Sequence, residues 1–293
     1  MLQRRRLLDE RTAGLLQAAL RAAVRGRRPS RAPPEVPHPV RAAMGQTPSM
    51  RLRGLWQIVS SWLFICSFGV AASAITLLTA GAFSRRLAPF LLRFWGRTML
   101  KLAGVTWEVQ GAEHLEGGRM KIAPFNHGSL LDAFLVTAVM PRGSVAAIKR
   151  EVIYYPVVGF TVKLLGFLLI DRGNSRRARS TMTRAGLRME HEQLTVFLAP
   201  EGTRTLDGAV LPFKKGALNL ALLSRAPIVP MLIDGAFELH GPGRLTTTPG
   251  HVVIRFLPPR PSTALTVENV AAETEALRAL YVEELARMRS ERV

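Results

Sequence analysis

The chain has 293 residues, a formal net charge of +19 and 48% hydrophobic residues, so it is long enough for one large domain or two small ones. Residues 1–110 carry 17 basic and 4 acidic side chains, against 23 and 17 in the rest of the chain. This excess lies around an apolar region, which favours an anionic membrane surface over nucleic acid as its partner. Cys66 is the only cysteine, which excludes a disulfide within the chain.

The first segment, residues 1–50, is rich in Arg, Ala and Pro and poor in aromatic residues. It lacks the apolar pattern that a folded core requires, so we predict a basic and largely disordered segment. Binding of this segment to nucleic acid is an alternative, which would show as salt-sensitive retention on DNA.

An apolar region follows at residues 51–103. No charged residue lies between Arg53 and Arg85, a stretch long enough to cross a bilayer. Basic residues flank both ends, however, and a single crossing would put one basic flank on the disfavoured side. We therefore predict a membrane-associated helix pair on the cytosolic face of the inner membrane, either a hairpin turning near Gly81 or two interfacial helices. A single transmembrane anchor is the alternative.

Residues 104–293 have the pattern of a globular domain, in which short apolar runs alternate with helical segments. A final amphipathic helix is predicted from about Val267 to Arg289. This alternation indicates an α/β fold, with a mixed central sheet flanked by helices and preceded by the membrane-associated helix pair. The predicted strands are 105–109, 120–125, 145–148, 167–170, 195–199, 228–233 and 252–256.

His127 and Asp132 lie where the second predicted strand gives way to a helix. On an ideal helix the two side chains would point roughly 140° apart, so they can meet only if His127 is on the loop and Asp132 in the first helical turn. An Asp in that position can orient the imidazole and leave its other nitrogen free to accept a proton. The spacing from Ser129 to Asp132 also fits a capping box, in which Asp132 would serve only the backbone.

Four clusters at predicted strand ends follow one another along the chain: Asn126 to Asp132, Gly166 to Arg172, Pro200 to Arg204 and Ile228 to Pro230. Together they resemble the motifs of the glycerolipid acyltransferase family, over roughly residues 85 to 260. The resemblance is strongest to the 1-acyl-glycerol-3-phosphate acyltransferases. The runs Lys149 to Gly159 and Pro212 to Gly216 also fit that family. One departure is Ala199, where the family usually has Phe, and the smaller side chain would loosen the packing or widen the pocket.

The resemblance implies transfer of a fatty acyl group to the free hydroxyl of lysophosphatidate, which gives phosphatidate in phospholipid synthesis. The acyl donor would be a thioester, either acyl-CoA or acyl-carrier protein, with no cofactor and no metal. His127 would be the general base and Asp132 would orient it. The expected substrate-binding residues are Asn126, Ser129, Lys149, Arg172, Glu201, Gly202, Thr203 and Arg204. Arg204 and the Gly202–Thr203 backbone suit a phosphomonoester.

Two further interpretations remain open. The acceptor could be another lipid or precursor, such as a lyso-ornithine lipid, a lysophospholipid or glycerol-3-phosphate. The chain could also be a non-catalytic, basic, membrane-associated protein, although the presence of His127, Asp132, Glu201 and Arg204 argues against this. The expected partners are thus a lysophosphatidate-like acceptor, the acyl donor and anionic membrane lipids, without nucleic acid.

Overall fold

The computed structural model describes residues 48–78, 84–117, 120–155, 157–171, 173 and 175–292. Residues 1–47 of the predicted basic segment, the predicted turn near Gly81 and the predicted site residue Arg172 lie outside the described residues. The predictions made for them therefore stay predictions.

Two helices precede the α/β core: α1, Pro48–Leu78, and α2, Ser84–Ala103. The segment Gly54–Ile75 of α1 has a mean hydropathy of 1.9 and is the one stretch of the described residues that is long and apolar enough to cross a membrane. The two helices pack together through aromatic rings, since the Phe94 ring centroid lies 6.1 Å from that of Phe64 and 6.3 Å from that of Phe68. A helix pair thus precedes the core, as predicted.

Helix α2 also joins this pair to the core, because it packs closely against α3, Leu131–Val139. The close approach depends on Gly96, where a Cβ would overlap the Thr137 side chain and the Phe134 carbonyl oxygen. Beside it, the Trp95 and Phe134 rings meet edge to face at 5.0 Å. Of the two helices, α2 therefore packs against the helix that carries Asp132.

Seven strands form within the described residues, in the order β1-β7-β6 in one sheet and β2-β5-β3-β4 in the other. Pairing is parallel throughout, except between β6 and β7. Parallel bridges from Ile122 to Ile228 and from Phe125 to Met231 join the two sheets. This confirms the predicted mixed sheet. The strands are β1 Val105–Gln110, β2 Lys121–Pro124, β3 Ser144–Lys149, β4 Leu168–Ile170, β5 Thr195–Leu198, β6 Met231–Asp234 and β7 Gly250–Phe256.

Helices cover both faces of the sheet. Successive side chains of a strand point to opposite faces, and those of β2, β5 and β6 are buried at every position, so both faces must be covered. Ile122 and Val196 belong to the apolar core on one face, and Ala123 and Phe197 to the core on the other. The final helix buries all five side chains predicted to face inward: Val270, Leu277, Tyr281, Leu285 and Met288. The remaining helices are α4 Val158–Leu164, α5 Ser175–Glu192, α6 Gly216–Ser224, α7 Ala236–His240 and α8 Val270–Glu291, with 3₁₀ helices at Ala112–Leu115 and Arg150–Tyr154.

The sixth strand begins later than predicted, at Met231 rather than Ile228. Pro230 has no N–H group, so the ladder cannot run through it without interruption. At this joint between the two sheets, the Tyr281 hydroxyl donates to the Pro124 carbonyl at 2.5 Å and accepts from the Met231 N–H at 3.2 Å. A side chain from α8 thus supplies the hydrogen bonds that connect β2 to β6.

Replacement of Tyr281 by Phe should therefore destabilise the fold. The Met231 N–H and the Pro124 carbonyl would lose this partner where Tyr281 is fully buried, so we expect the free energy of unfolding to fall by roughly 1–3 kcal/mol. Denaturant unfolding in detergent micelles measures the change. The matched control is Tyr154→Phe, at a side chain 74% exposed, and an equal loss in both variants would contradict the role of the Tyr281 hydroxyl.

Candidate active site

The predicted motifs meet at one edge of the sheet, because parallel strands have their carboxyl ends on the same side. His127 follows β2, the turn from Glu201 to Arg204 follows β5, and Lys149 ends β3. Since β5 lies next to β2, the first two of these groups are neighbours, and Lys149 is one strand further away.

His127 and Asp132 form a hydrogen bond, with His127 Nδ1 2.8 Å from Asp132 Oδ2. A carboxylate oxygen can only accept, so Nδ1 carries the hydrogen and a neutral ring has its Nε2 free to accept a proton. Asp132 is 1% exposed and the His127 side chain 20% exposed. Nε2 has no hydrogen-bond partner within the described part of the chain. The arrangement is that of a histidine base oriented by a buried carboxylate.

Asp132 also caps the helix on which it lies. Its Oδ2 accepts from the Gly128 N–H at 2.9 Å and from the Ser129 N–H at 2.8 Å, while the Ser129 hydroxyl accepts from the Leu131 N–H at 3.0 Å. The contact of Asp132 with the backbone and its pairing with His127, which the sequence leaves as alternatives, therefore occur together. The start of α3 holds the carboxylate in the position that the imidazole needs.

Asn126 and Ser129 contact the protein backbone. The Asn126 amide donates to the Ile233 carbonyl at 2.9 Å and accepts from the Ile233 N–H at 2.8 Å. Ser129 is fully buried, and its hydroxyl donates to the His240 carbonyl at 2.8 Å. These contacts position the His127 loop against β6 and α7. Substrate binding by the two residues stays a prediction.

Glu201 ties the His127 loop to a second loop. Its Oε1 accepts from the His127 N–H at 2.7 Å and its Oε2 from the Leu211 N–H at 2.9 Å. Burial raises the pKa of the Glu201 carboxyl above its ordinary value, and the two backbone hydrogen bonds partly offset this. The family resemblance implies that Glu201 binds substrate, which stays a prediction. In the structure, Glu201 also accepts a hydrogen bond from the backbone of His127 itself.

Helix α8 braces this second loop, residues 205–211, through two arginines that the sequence analysis misses. The Arg278 guanidinium donates to the Val210 and Leu211 carbonyls, both at 3.2 Å, and Arg289 donates to the Gly208 carbonyl at 3.2 Å. The braced loop and His127 line one pocket. No local sequence signal could reveal the two arginines, because their role depends on where the fold places α8.

Arg204 and Thr203 are exposed, and no carboxylate of the described residues lies within ion-pairing distance of Arg204. Gly202 adopts a positive φ of 74°, and a Cβ there would come within 2.8 Å of Lys214 Nζ. Lys214 therefore adds a positive charge beside the turn from Glu201 to Arg204. In the sequence, the only sign of this role is that Lys214 lies in the run from Pro212 to Gly216, which fits the family. Lys149 Nζ instead lies 3.7 Å from Glu151 Oε1.

Comparisons with known proteins decide which family this site belongs to. Residues 106–234 match the model of the Acyltransferase family. The 1-acyl-sn-glycerol-3-phosphate acyltransferase of Limnanthes alba is 34% identical over 230 residues, which are 76% of this chain and 81% of the relative. The chain belongs to the 1-acyl-sn-glycerol-3-phosphate acyltransferase family.

Other members of the family match the chain in a similar way. The human protein named 1-acyl-sn-glycerol-3-phosphate acyltransferase beta is 33% identical over 195 residues, which are 62% of this chain and 70% of the human protein. The crystal structure of the 1-acyl-sn-glycerophosphate (LPA) acyltransferase PlsC from Thermotoga maritima has a TM-score of 0.69 at 23% identity. The match covers 82% of this chain and 97% of the Thermotoga maritima chain, so the two proteins share a fold.

Proposed function

We propose that this acyltransferase moves a fatty acyl group from an acyl thioester to the free hydroxyl of lysophosphatidate and so forms phosphatidate for phospholipid synthesis. The observation that carries the proposal is the 2.8 Å hydrogen bond between His127 Nδ1 and Asp132 Oδ2, in a member of this family. That hydrogen bond prepares the other ring nitrogen to accept a proton from the acceptor hydroxyl.

The reaction proceeds in two stages. His127 Nε2 takes the proton of the acceptor hydroxyl while its oxygen attacks the thioester carbonyl, and Asp132 stabilises the imidazolium that forms. The carbon–sulfur bond then breaks, the new ester remains, and the imidazolium returns the proton to the departing thiolate. No acyl-enzyme is required, because the thioester is already activated. Both acyl-CoA and acyl-carrier protein supply this chemistry.

The Arg204 turn is the proposed site for the acceptor phosphate. Its support is the exposed guanidinium of Arg204, which has no carboxylate partner among the described residues, and the Lys214 ammonium over Gly202. The Arg204 guanidinium and the Lys214 ammonium beside it match the oxygens of a phosphomonoester, whereas the Gly202 N–H already donates to the Ala199 carbonyl at 3.3 Å. A phosphate-free acceptor such as a lyso-ornithine lipid would leave these charges uncompensated.

The apolar helix α1 supports association with a membrane, where both the acceptor and the product dissolve. We propose that α1 and α2 enter the cytosolic leaflet of the inner membrane. In favour of this, α1 contacts the catalytic domain at two separate levels. Gln57 accepts from the Thr247 N–H at 3.0 Å, and the Gly69 carbonyl accepts from the Thr161 hydroxyl at 3.3 Å. A helix that lies along the domain in this way suits insertion into one leaflet.

The direct test is an assay of the purified protein with lysophosphatidate and, in turn, acyl-CoA and acyl-carrier protein. The product, phosphatidate, is identified by mass. Transfer with at least one donor is the expected result. Absence of phosphatidate with both donors, together with transfer to a phosphate-free lyso-lipid, would contradict lysophosphatidate as the acceptor.

Arg204→Lys tests the phosphate assignment. A guanidinium binds a phosphate through two hydrogen bonds, whereas an ammonium offers a point charge. One charge-assisted hydrogen bond is worth roughly 1.5–3 kcal/mol, so the KM for lysophosphatidate should rise about ten-fold or more. The KM for the acyl donor should stay unchanged, and the rate at saturating acceptor should fall less than the affinity.

Steady-state kinetics with each substrate varied in turn provide the measurement, and Arg225→Lys, at an exposed residue after α6, is the matched control. An unchanged acceptor KM would remove the phosphate site from Arg204. An equal loss of activity toward a lyso-lipid without phosphate would do the same.

A further inference from the structure

The loop between α7 and β7, residues 241–249, carries an exposed apolar side chain next to an exposed cation. We call it the rim loop. Leu245 is 85% exposed, a large value for an apolar side chain. Arg244 before it donates to the Glu238 carbonyl at 2.7 Å, and no carboxylate within the described residues lies in ion-pairing range of it. The loop thus presents a leucine and a positive charge to its surroundings.

The rim loop is attached to the membrane helix α1. The Thr247 N–H donates to Gln57 Oε1 at 3.0 Å, and a Cβ on Gly54 would come within 2.9 Å of the Thr246 methyl group. Gly54 and Gln57 lie at the start of the apolar run of α1, immediately after Arg53. This end of the run belongs at the boundary between lipid and water, where Arg side chains are favoured. With α1 in the membrane as proposed above, the rim loop lies at the level of the lipid headgroups.

The rim loop is also attached to the catalytic loop. The Thr247 hydroxyl lies 2.9 Å from His240 Nδ1, and the His240 carbonyl accepts from the Ser129 hydroxyl at 2.8 Å. Burial lowers the pKa of His240, and the nearby charges of Arg204 and Arg244 lower it further. His240 is thus a neutral, buried connector. Three hydrogen bonds in series link Gln57 of α1 to Ser129 at the start of the Asp132 helix, through Thr247 and His240.

We propose that the rim loop is a lipid contact of the enzyme: Leu245 enters the boundary between headgroups and acyl chains of an anionic bilayer, and Arg244 lies among the lipid phosphates. This rests on the proposed membrane association of α1. Leu55, Trp56 and Val59, which lie within two residues of Gln57 on α1, are also exposed, whereas Ile58 is half-buried. The contact therefore continues the exposed apolar surface of that helix. Its consequence is a fixed distance between the bilayer surface and His127.

If the rim loop contacts lipid, acyl transfer to an acceptor in the bilayer should differ from transfer to an acceptor in water. An acceptor dissolved in the bilayer must reach His127 across the rim, so its transfer depends on how the rim meets the lipid. A short-chain lysophosphatidate dissolved as monomers in water does not depend on that contact. The variant that tests this is Leu245→Asp, and its matched control is Val267→Asp, because Val267 is 79% exposed on the segment before α8.

Full-length enzyme is reconstituted in vesicles of phosphatidylcholine and phosphatidylglycerol that contain long-chain lysophosphatidate. Leu245→Asp should lower transfer to this acceptor about ten-fold, the ratio expected when a leucine side chain no longer leaves water. Transfer to hexanoyl lysophosphatidate in solution should be unchanged, as should both activities of Val267→Asp. Equal behaviour of Leu245→Asp and Val267→Asp on the vesicles would overturn the proposal.

A second measurement does not depend on activity. In a Cys66→Ala background, Leu245→Cys and Val267→Cys are each labelled with an environment-sensitive fluorophore. The label at position 245 should shift to the blue with vesicles and be quenched by spin-labelled lipid, whereas the label at 267 should be quenched by iodide in water. Iodide quenching of both would contradict the proposal. If the wild-type enzyme transfers to neither acceptor, the proposed function fails, while the labels still decide the rim contact.

Discussion

Replacement of His127 by Ala is expected to lower the rate of acyl transfer by about 10²–10⁴-fold, the usual cost of losing a general base. His127 Nδ1 lies 2.8 Å from Asp132 Oδ2, and none of the described residues forms a hydrogen bond with Nε2. This nitrogen is therefore free to accept a proton. Because the side chain is 20% exposed at the edge of the core, its removal should leave the fold and membrane association intact.

The matched control is His191→Ala, which removes an exposed histidine at the end of α5. Circular dichroism and sedimentation with vesicles establish that both variants fold and associate alike. The rate is measured at saturating donor and acceptor near neutral pH. A His127→Ala enzyme that keeps a rate near that of the wild type would exclude His127 as the base.

The pairing of His127 with Asp132 could be predicted because it is local. The two residues are separated by a loop and the first turn of α3, and the geometry of a helix start permits one arrangement in which they meet. The strands could be predicted for a similar reason, since most of them are short apolar runs that a local segment reveals, as in β2, β5 and β6, which are buried at every position. The period of the pattern also identified the five buried positions of α8.

The contact of Glu201 with the His127 N–H could not be predicted in the same way. It depends on β5 lying beside β2, although β3 and β4 come between them in the chain. Strand order is a property of the whole sheet and leaves no trace in the local pattern. The same holds for Arg278, which reaches the Leu211 carbonyl from a helix more than sixty residues later in the chain, and for the connector His240.

The second large effect is expected for Asp132→Asn, which should lower the rate by roughly 10²–10⁴-fold because the imidazolium loses the charge that stabilises it. The amide has nearly the volume of the carboxylate, and its oxygen can still accept from the Gly128 and Ser129 N–H groups that Asp132 Oδ2 binds at 2.9 and 2.8 Å. The helix cap should therefore survive, and the midpoint of thermal unfolding should change little.

A double-mutant cycle then identifies how Asp132 acts. If Asp132 works through His127, the variant that carries both His127→Ala and Asp132→Asn should be no slower than His127→Ala alone, because the second change removes a partner that no longer exists. Glu283→Gln, at an exposed carboxylate of α8, serves as the matched control for loss of a negative charge. The rates of all variants are measured with both substrates saturating. A further loss in the double variant, equal to that of Asp132→Asn alone, would mean that Asp132 contributes independently of His127 and would contradict the proposed pair.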